Sequence, residues 1–283
     1  MFAVTGASGQ LGRLVIEGLL GQVPAGRIVG LARDPAKLGD LAARGVQVRA
    51  ADYDRPETLV PALAGVERLL LVSSSEIGKR AAQHKAVIDA AKAAGVGLVA
   101  YTSIARADVS PIPLAEEHRL TEADLAASGL PHVILRNNWY NENFASTIAA
   151  APGLGAVYGA SGDGLVGAAP RADYAAAAVA VLTGEGHAGR VYELSGAGFS
   201  KPDLAAMIAA ATGKAISHAD IGVDAYAGAL EQAGLPAPYA RMLAVIDGQV
   251  AEGWLAPAGD DLARLLGRAP VPMSETVKAV LAG

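Results

Sequence analysis

The sequence of 283 residues contains no cysteine. Disulfides, thiolate catalysis and cysteine-ligated zinc or iron–sulfur centres are therefore excluded. Aromatic side chains make up only 5%, too few for a stacking platform along single-stranded nucleic acid. Positive charge is not in excess either: the net charge is −5 and the pI about 5.6, which argues against binding of a phosphate backbone as the main activity. No uncharged apolar run reaches the roughly 18 residues of a membrane span. The longest candidate, 168–182, is broken by Arg171 and Asp173. The five histidines (His84, His118, His132, His187, His218) form no HExxH motif and no close pair, so no metal site is expected. No basic leader precedes Met1-Phe2-Ala3-Val4, which makes the cytoplasm the expected location. What is abundant is small and apolar: hydrophobic residues reach 52% against 18% charged. That supplies a core and excludes disorder.

The first half alternates short apolar runs with helical patterns. Strands are predicted at 2–5, 27–32, 46–50, 69–73, 98–102 and 132–136. Helices are predicted at 11–20, 35–44, 56–63, 79–94 and 114–128. Such alternation reads as βαβ units in a parallel sheet buried on both faces, with right-handed crossovers giving a doubly wound, Rossmann-type α/β fold. Gly65, Gly95 and Gly129 follow helical patterns, as helix-terminating glycines do. After Arg136 the pattern loosens. Residues 152–167 are glycine-rich and look like loop with a short strand at 156–160. A helix is predicted at 171–182, a strand at 190–195 and a helix at 201–212, and the rest is mostly helical. Residues 1–150 are expected to form the nucleotide-binding core, and 151–283 to return to it and build a small C-terminal substrate lobe.

The strongest local signal is Thr5-Gly6-Ala7-Ser8-Gly9-Gln10-Leu11-Gly12, placed after the first strand and opening the first helix. Gly6 permits the turn, Gly9 lets a pyrophosphate approach the backbone, and Gly12 lets the helix pack closely. The helix N-terminus offers free N–H groups to phosphate. Gly6, Ser8, Gly9, Gln10, Leu11 and Gly12 are thus expected cofactor contacts. The spacing is GxxGxxG rather than GxGxxG. At the tip of the second strand stand Arg33 and, four residues on, Lys37, a pair suited to a ribose 2′-phosphate. Asp34 leaves the alternative of a 2′-hydroxyl open. Asp52 and Tyr53 follow the third strand, near the expected adenine. Ser73, Ser74 and Ser75 follow the fourth, on the nicotinamide side. Turn chemistry explains both groups as well.

Taken together, VTGASGQLG, LARDPAK, ADYD, LLLVSSSE, VAYTS and LRNNWYNENF resemble the NmrA-like group of atypical short-chain dehydrogenases. Within it the resemblance is to the NAD(P)H:quinone oxidoreductase type 2 branch, with triphenylmethane reductase a near relative. It extends through RADYAAAAVAVL and GHAGRVYELSG, and so spans essentially the whole chain. It implies NADPH, with NADH a weaker alternative, held between a Rossmann core and a substrate lobe. None of the eight tyrosines has Lys four residues later, so the Tyr-x-x-x-Lys pair of the wider superfamily is absent. Reductases of the phenylcoumaran and isoflavone type use a Lys thirteen residues before the Pro that opens the next strand. Counting back from Pro131 gives His118.

A quinone accepts hydride readily and its reduced anion is a modest base, so positioning and oxyanion stabilisation matter more than a strong acid. Ser103, His118 and Tyr140 are the candidate catalytic residues. Thr102 and Asn137, at strand ends, are assigned to the cofactor. Trp139 or Tyr140 offers a stacking face. Glu122 lies four residues beyond His118, at a facing helical spacing. Each candidate also has a structural alternative, such as a loop cap or a core hydrogen bond. The leading expectation is NADPH-dependent hydride transfer to a quinone or similar conjugated acceptor, by a monomer or homodimer with no nucleic-acid or membrane partner. Reduction of a ketone, imine or dye, and a non-catalytic redox-sensing regulator, are the alternatives.

Overall fold

The computed structural model describes residues 1–283. In chain order the core opens with β1 (Phe2–Val4), α1 (Gln10–Leu20), β2 (Ile28–Ala32), α2 (Gly39–Ala43), β3 (Gln47–Ala50), α3 (Leu59–Ala62) and β4 (Arg68–Leu71). It continues with α4 (Arg80–Ala93), β5 (Leu98–Ile104), α5 (Ala115–Ser128) and β6 (His132–Asn137). Then follow α6 (Ala145–Leu154), β7 (Ala156–Gly159), α7 (Arg171–Thr183), β8 (Val191–Leu194), α8 (Lys201–Thr212) and β9 (Ser217–Asp220). Last come α9 (Gly222–Gln232), α10 (Ala237–Ala251), α11 (Asp261–Leu266) and α12 (Met273–Ala282).

Seven strands form one parallel sheet in the order β3-β2-β1-β4-β5-β6-β8. Strand order reverses between β1 and β4, and in such sheets ligands bind outside the strand ends at that crevice. The strand residues alternate between two cores. Phe2, Val4, Leu70, Ala100, Val133 and Leu135 face α1 and α7, whereas Ala3, Leu69, Leu71, Val99, Tyr101 and Ile134 face α3, α4 and α5. Both faces are therefore apolar, and each strand reads as a continuous hydrophobic run. The Rossmann-type sheet is the one expected from the alternation. Two predicted helices divide: 35–44 becomes a short 3-10 turn followed by α2, and 56–63 a 3-10 turn followed by α3. In both, Pro occupies the first turn.

The smaller lobe has its own core, built around Ile148, Leu204, Ile208, Ile246 and Val277. A two-stranded parallel ribbon of β7 and β9 sits within it. Helix α6 and strand β9 fall outside the predicted elements, and residue 150 lies inside α6. The chain then re-enters the main core: α7 contributes Tyr174, Val179 and Leu182, and α11 contributes Leu262. Asn138 ties the two parts together by donating to the Leu255 carbonyl at 3.1 Å.

Candidate active site

Two cavities meet at the carboxyl ends of β1, β4, β5 and β6. The first, about 700 Å³, runs over the glycine turn and the tips of β2 and β3. The second, about 640 Å³, lies between β5, β6 and the lobe helices α9 and α10. Ser73, Ser75, Arg80, Tyr140 and Arg171 line both, so the two spaces are continuous.

The glycine turn is shaped by its own backbone. Gly6 has φ of +56°, and a β-carbon at Gly12 would overlap the Gly6 carbonyl. Gly12 thus lets α1 pack closely against the turn itself. A β-carbon at Gly9 would lie 3.2 Å from the same oxygen. Gly9 caps α1 without a side-chain hydrogen bond, and the first turn of this 11-residue helix holds no acid. Its first N–H groups and positive dipole end therefore remain available to an anion.

Of the fifteen residues assigned to the cofactor, twelve line the first cavity: Gly6, Ser8, Gly9, Gln10, Leu11, Gly12, Arg33, Asp52, Tyr53, Ser73, Ser74 and Ser75. Three do not. Lys37 is exposed beyond the turn that Asp34 caps by accepting from Ala36 N at 3.1 Å. Thr102 is buried, and its hydroxyl accepts from Ser73 N at 2.9 Å, so it supports the serine loop without reaching either cavity. Asn137 lines the second cavity; its Nδ2 donates to the Tyr140 hydroxyl at 3.3 Å, and its Oδ1 is buried without a partner. Asp52 holds its own turn by accepting from Asp54 N at 3.1 Å. Burial pushes the Tyr53 phenol up, so it stays protonated, and its hydroxyl donates to the Val72 carbonyl at 3.3 Å.

The three candidate catalytic residues all line the second cavity. The Ser103 hydroxyl donates to Glu122 Oε1 at 2.6 Å, and that carboxylate also takes Arg136 at 2.7 Å. Glu122 is thereby turned away from the role its spacing suggested, as a partner of His118. The imidazole of His118 instead meets the Tyr101 hydroxyl, 2.6 Å from Nδ1. Burial, the Arg80 cation and His84 hold its pKa well below the usual histidine value. Burial likewise raises the Tyr140 phenol, whose ring carries the Arg171 guanidinium 4.4 Å from its centre.

Two arginines escaped sequence reasoning. Arg171 reads as a helix-start charge, yet it lines both cavities and donates to Asn143 Oδ1 at 3.0 Å. Arg80 opens α4 with no motif around it. It is buried, its Nε donates to the Ser74 carbonyl at 2.7 Å, and its Nη1 has no hydrogen-bond partner. That nitrogen faces the Glu117 carboxylate at 3.5 Å, and Arg80 lines the cavity that runs over the glycine turn, where a cation suits an anionic ligand. With Arg33, the first cavity thus has three cations around a helix N-terminus, which fits a phosphorylated dinucleotide. No group of acidic and histidine side chains could hold a metal ion, and no helix is long and apolar enough to cross a membrane.

Fold, switch-point crevice and anion cradle define a dinucleotide-binding α/β protein with a second ligand space joined to the first. A family profile described as NAD(P)H-binding matches residues 6–185, and the chain belongs to that family. The chain is 48% identical over 278 residues to quinone oxidoreductase 2 of Escherichia coli strain K12, covering 98% of this chain and 97% of that protein. A crystal structure of the E. coli NADPH-dependent quinone oxidoreductase complexed with NADPH superposes with a TM-score of 0.97 at 47% identity, covering 99% of this chain and all of that one. The Citrobacter triphenylmethane reductase complexed with NADP(H) superposes at 0.96 with 38% identity, covering 99% of this chain and 100% of that one.

Proposed function

We infer that this chain is an NADPH-dependent reductase of quinones and similar conjugated acceptors. The observation that carries the reading is the junction of the two cavities: a cationic groove on the glycine turn opens into a space walled by Trp139, Phe144, Tyr226, Tyr239 and Met242. Aromatic walls facing polar and charged groups such as His118, Asn137 and Arg171 suit a planar conjugated molecule that carries polar oxygens. The full-length likeness to quinone oxidoreductase 2 supports the same reading.

When bound, NADPH supplies a hydride, two electrons with one proton. The quinone gains that hydride and one proton from solvent, and leaves as hydroquinone. The N-terminus of α1 holds the pyrophosphate, and Arg33 takes the 2′-phosphate, so NADH binds more weakly. Arg80 and Arg171 bring positive charge to the junction. His118 is the donor available to the acceptor oxygen. The Ser103 hydroxyl donates its hydrogen bond to Glu122, so it orders the cavity wall without acting as an acid. Tyr140 and Trp139 flank the ring. No side chain here is an obligatory proton source, because the hydroquinone anion is protonated by water.

The test is loss of NADPH absorbance with a panel of benzoquinones and naphthoquinones. Turnover confined to ketones, imines or dyes would move the assignment to another acceptor. Tight NADPH binding with no turnover on any acceptor would make the chain a sensor of the cofactor instead.

A further inference from the structure

Behind the second cavity lies a buried set of hydrogen bonds around His84 and His118. Ser74 N donates to His84 Nε2 at 2.9 Å. His84 must then carry its proton on Nδ1, which lies 2.9 Å from Thr121 Oγ1. The Thr121 hydroxyl donates to the Glu117 backbone carbonyl at 2.9 Å. The Tyr101 hydroxyl, fully buried on β5, is hydrogen-bonded to Nδ1 of His118 at 2.6 Å. A phenol is a far stronger acid than a neutral imidazole N–H, and the other polar neighbour of the Tyr101 hydroxyl, Thr121 Oγ1, is already engaged with His84 Nδ1 and the Glu117 carbonyl. Tyr101 is therefore the donor and Nδ1 the acceptor. The imidazole proton is left on Nε2, which has no protein partner, on a ring that lines the second cavity beside Asn137 and Tyr140.

We propose that Tyr101 is a positioning residue: by donating to Nδ1 it fixes His118 as the neutral Nε2–H tautomer and aims that N–H at the acceptor oxygen, where negative charge develops as hydride arrives. The proposal rests on reading the second cavity as the acceptor site. The groups facing His118 agree with a neutral ring. Arg80 and His84 approach from α4, and Tyr101 from β5, its phenol pushed up by burial. On its own helix, Glu122 is held by Ser103 and Arg136, and Glu117 by Gly78 N and Arg80. A neutral imidazole stabilises an oxyanion without surrendering its proton, so hydride transfer leaves the reduced anion hydrogen-bonded to Nε2–H. Water then supplies the proton and hydroxide departs.

Nitrogen-15 NMR of the histidine rings in the NADPH-bound protein reads the tautomer directly. The wild type is expected to show His118 protonated at Nε2 and bare at Nδ1, and Tyr101→Phe to move it toward a mixture. In quinone kinetics, Tyr101→Phe is expected to lower kcat about tenfold, less than the roughly 10²–10³-fold for loss of an oxyanion donor outright, with NADPH affinity unchanged. In a His118→Ala background the same change should add nothing. A wild-type ring protonated at Nδ1, or losses from the two substitutions that multiply, would overturn the proposal. If the wild type reduces no quinone, the functional reading fails, and the NMR arm still decides the tautomer.

Discussion

Arg33 and Glu76 meet across the mouth of the first cavity, Nη1 to Oε1 at 3.1 Å. The cation at the tip of β2 is thus held by a carboxylate from the loop after β4, the loop that also carries Ser73–Ser75. An incoming 2′-phosphate must compete with Glu76 for the guanidinium. The side chains are 71% and 34% exposed, and such pairs contribute about 0.2–1 kcal/mol. Glu76→Gln is therefore expected to strengthen NADPH binding by up to about fivefold and to leave NADH nearly unchanged. Arg33→Ala should weaken NADPH about tenfold, again sparing NADH. Calorimetric titration of both cofactors checks this. Equal losses for the two in Arg33→Ala would make the residue structural.

The glycine turn separates two kinds of damage. At Gly12 a β-carbon overlaps the Gly6 carbonyl, which is backbone and cannot swing away. Gly12→Ala should cost about 1–3 kcal/mol of stability together with cofactor binding. At Gly9 the β-carbon itself is only tight, at 3.2 Å. Gly9→Val should therefore leave the protein folded and abolish dinucleotide binding, because the branched side chain projects into the first cavity. Melting curves and calorimetry distinguish the two. A folded Gly9→Val protein with unchanged NADPH affinity would remove the glycine turn from the cofactor site.

These residues also show what a sequence can carry. The β–α alternation was legible because both faces of the sheet are apolar, so strands such as Leu69-Leu70-Leu71 appear as unbroken runs. The glycine turn was legible because its chemistry is local. Helix α6 was not: Ala145–Leu154 is small and apolar on all sides with Pro152 inside it, so it has no amphipathic stripe to read. The pairing of β7 with β9 joins segments separated by two helices and a strand of the main sheet, and nothing in either four-residue strand announces the other. Arg80 is found only in three dimensions, because its meaning lies in facing two cavities at once. His118 lay at a position that a family comparison could mark, but its partner is Tyr101 on the neighbouring strand rather than Glu122 on its own helix.

Buried neutral histidines make stability depend on pH. Burial, with Arg80 beside it, lowers His84 to about 3, and His118 is depressed by the same causes and by His84 itself. The folded pKa values lie below the unfolded value of about 6.5. As pH falls through that value, the unfolded chain takes up protons that the native rings refuse. Stability is then full above about pH 6.5 and declines below it, for His84 down to about pH 3. Each ring contributes a slope of at most about 1.4 kcal/mol per pH unit. Chemical denaturation at pH 7.5, 6 and 5 should show the decline, and a flat profile would mean that these rings are protonated in the native state.

Lys201 and Asp247 line the second cavity, and their pairing sets the last expectation. Lys201 Nζ lies 2.6 Å from Asp247 Oδ2, 3.3 Å from the Tyr158 carbonyl and 4.4 Å from the centre of the Tyr226 ring. The same Asp247 oxygen accepts from Ala160 N at 2.5 Å. One ion pair thereby joins α8, α10, α9 and the end of β7. Its side chains are only 7% and 14% exposed, and burial pulls the ammonium pKa down against the pull of the carboxylate. Removing one partner of a buried pair strands the other charge, at about 3–5 kcal/mol, whereas replacing both with apolar groups is often near neutral. Lys201→Met alone should destabilise by about that amount, and Lys201→Met with Asp247→Leu should recover most of it. The pair lines the second cavity and not the first, so the double variant should raise the quinone KM while NADPH affinity stays as it was. Denaturation and steady-state kinetics on the same preparations read both effects. A cost below about 1 kcal/mol for the single variant would mean that solvent already reaches the pair and that the lobe is held by its apolar core instead.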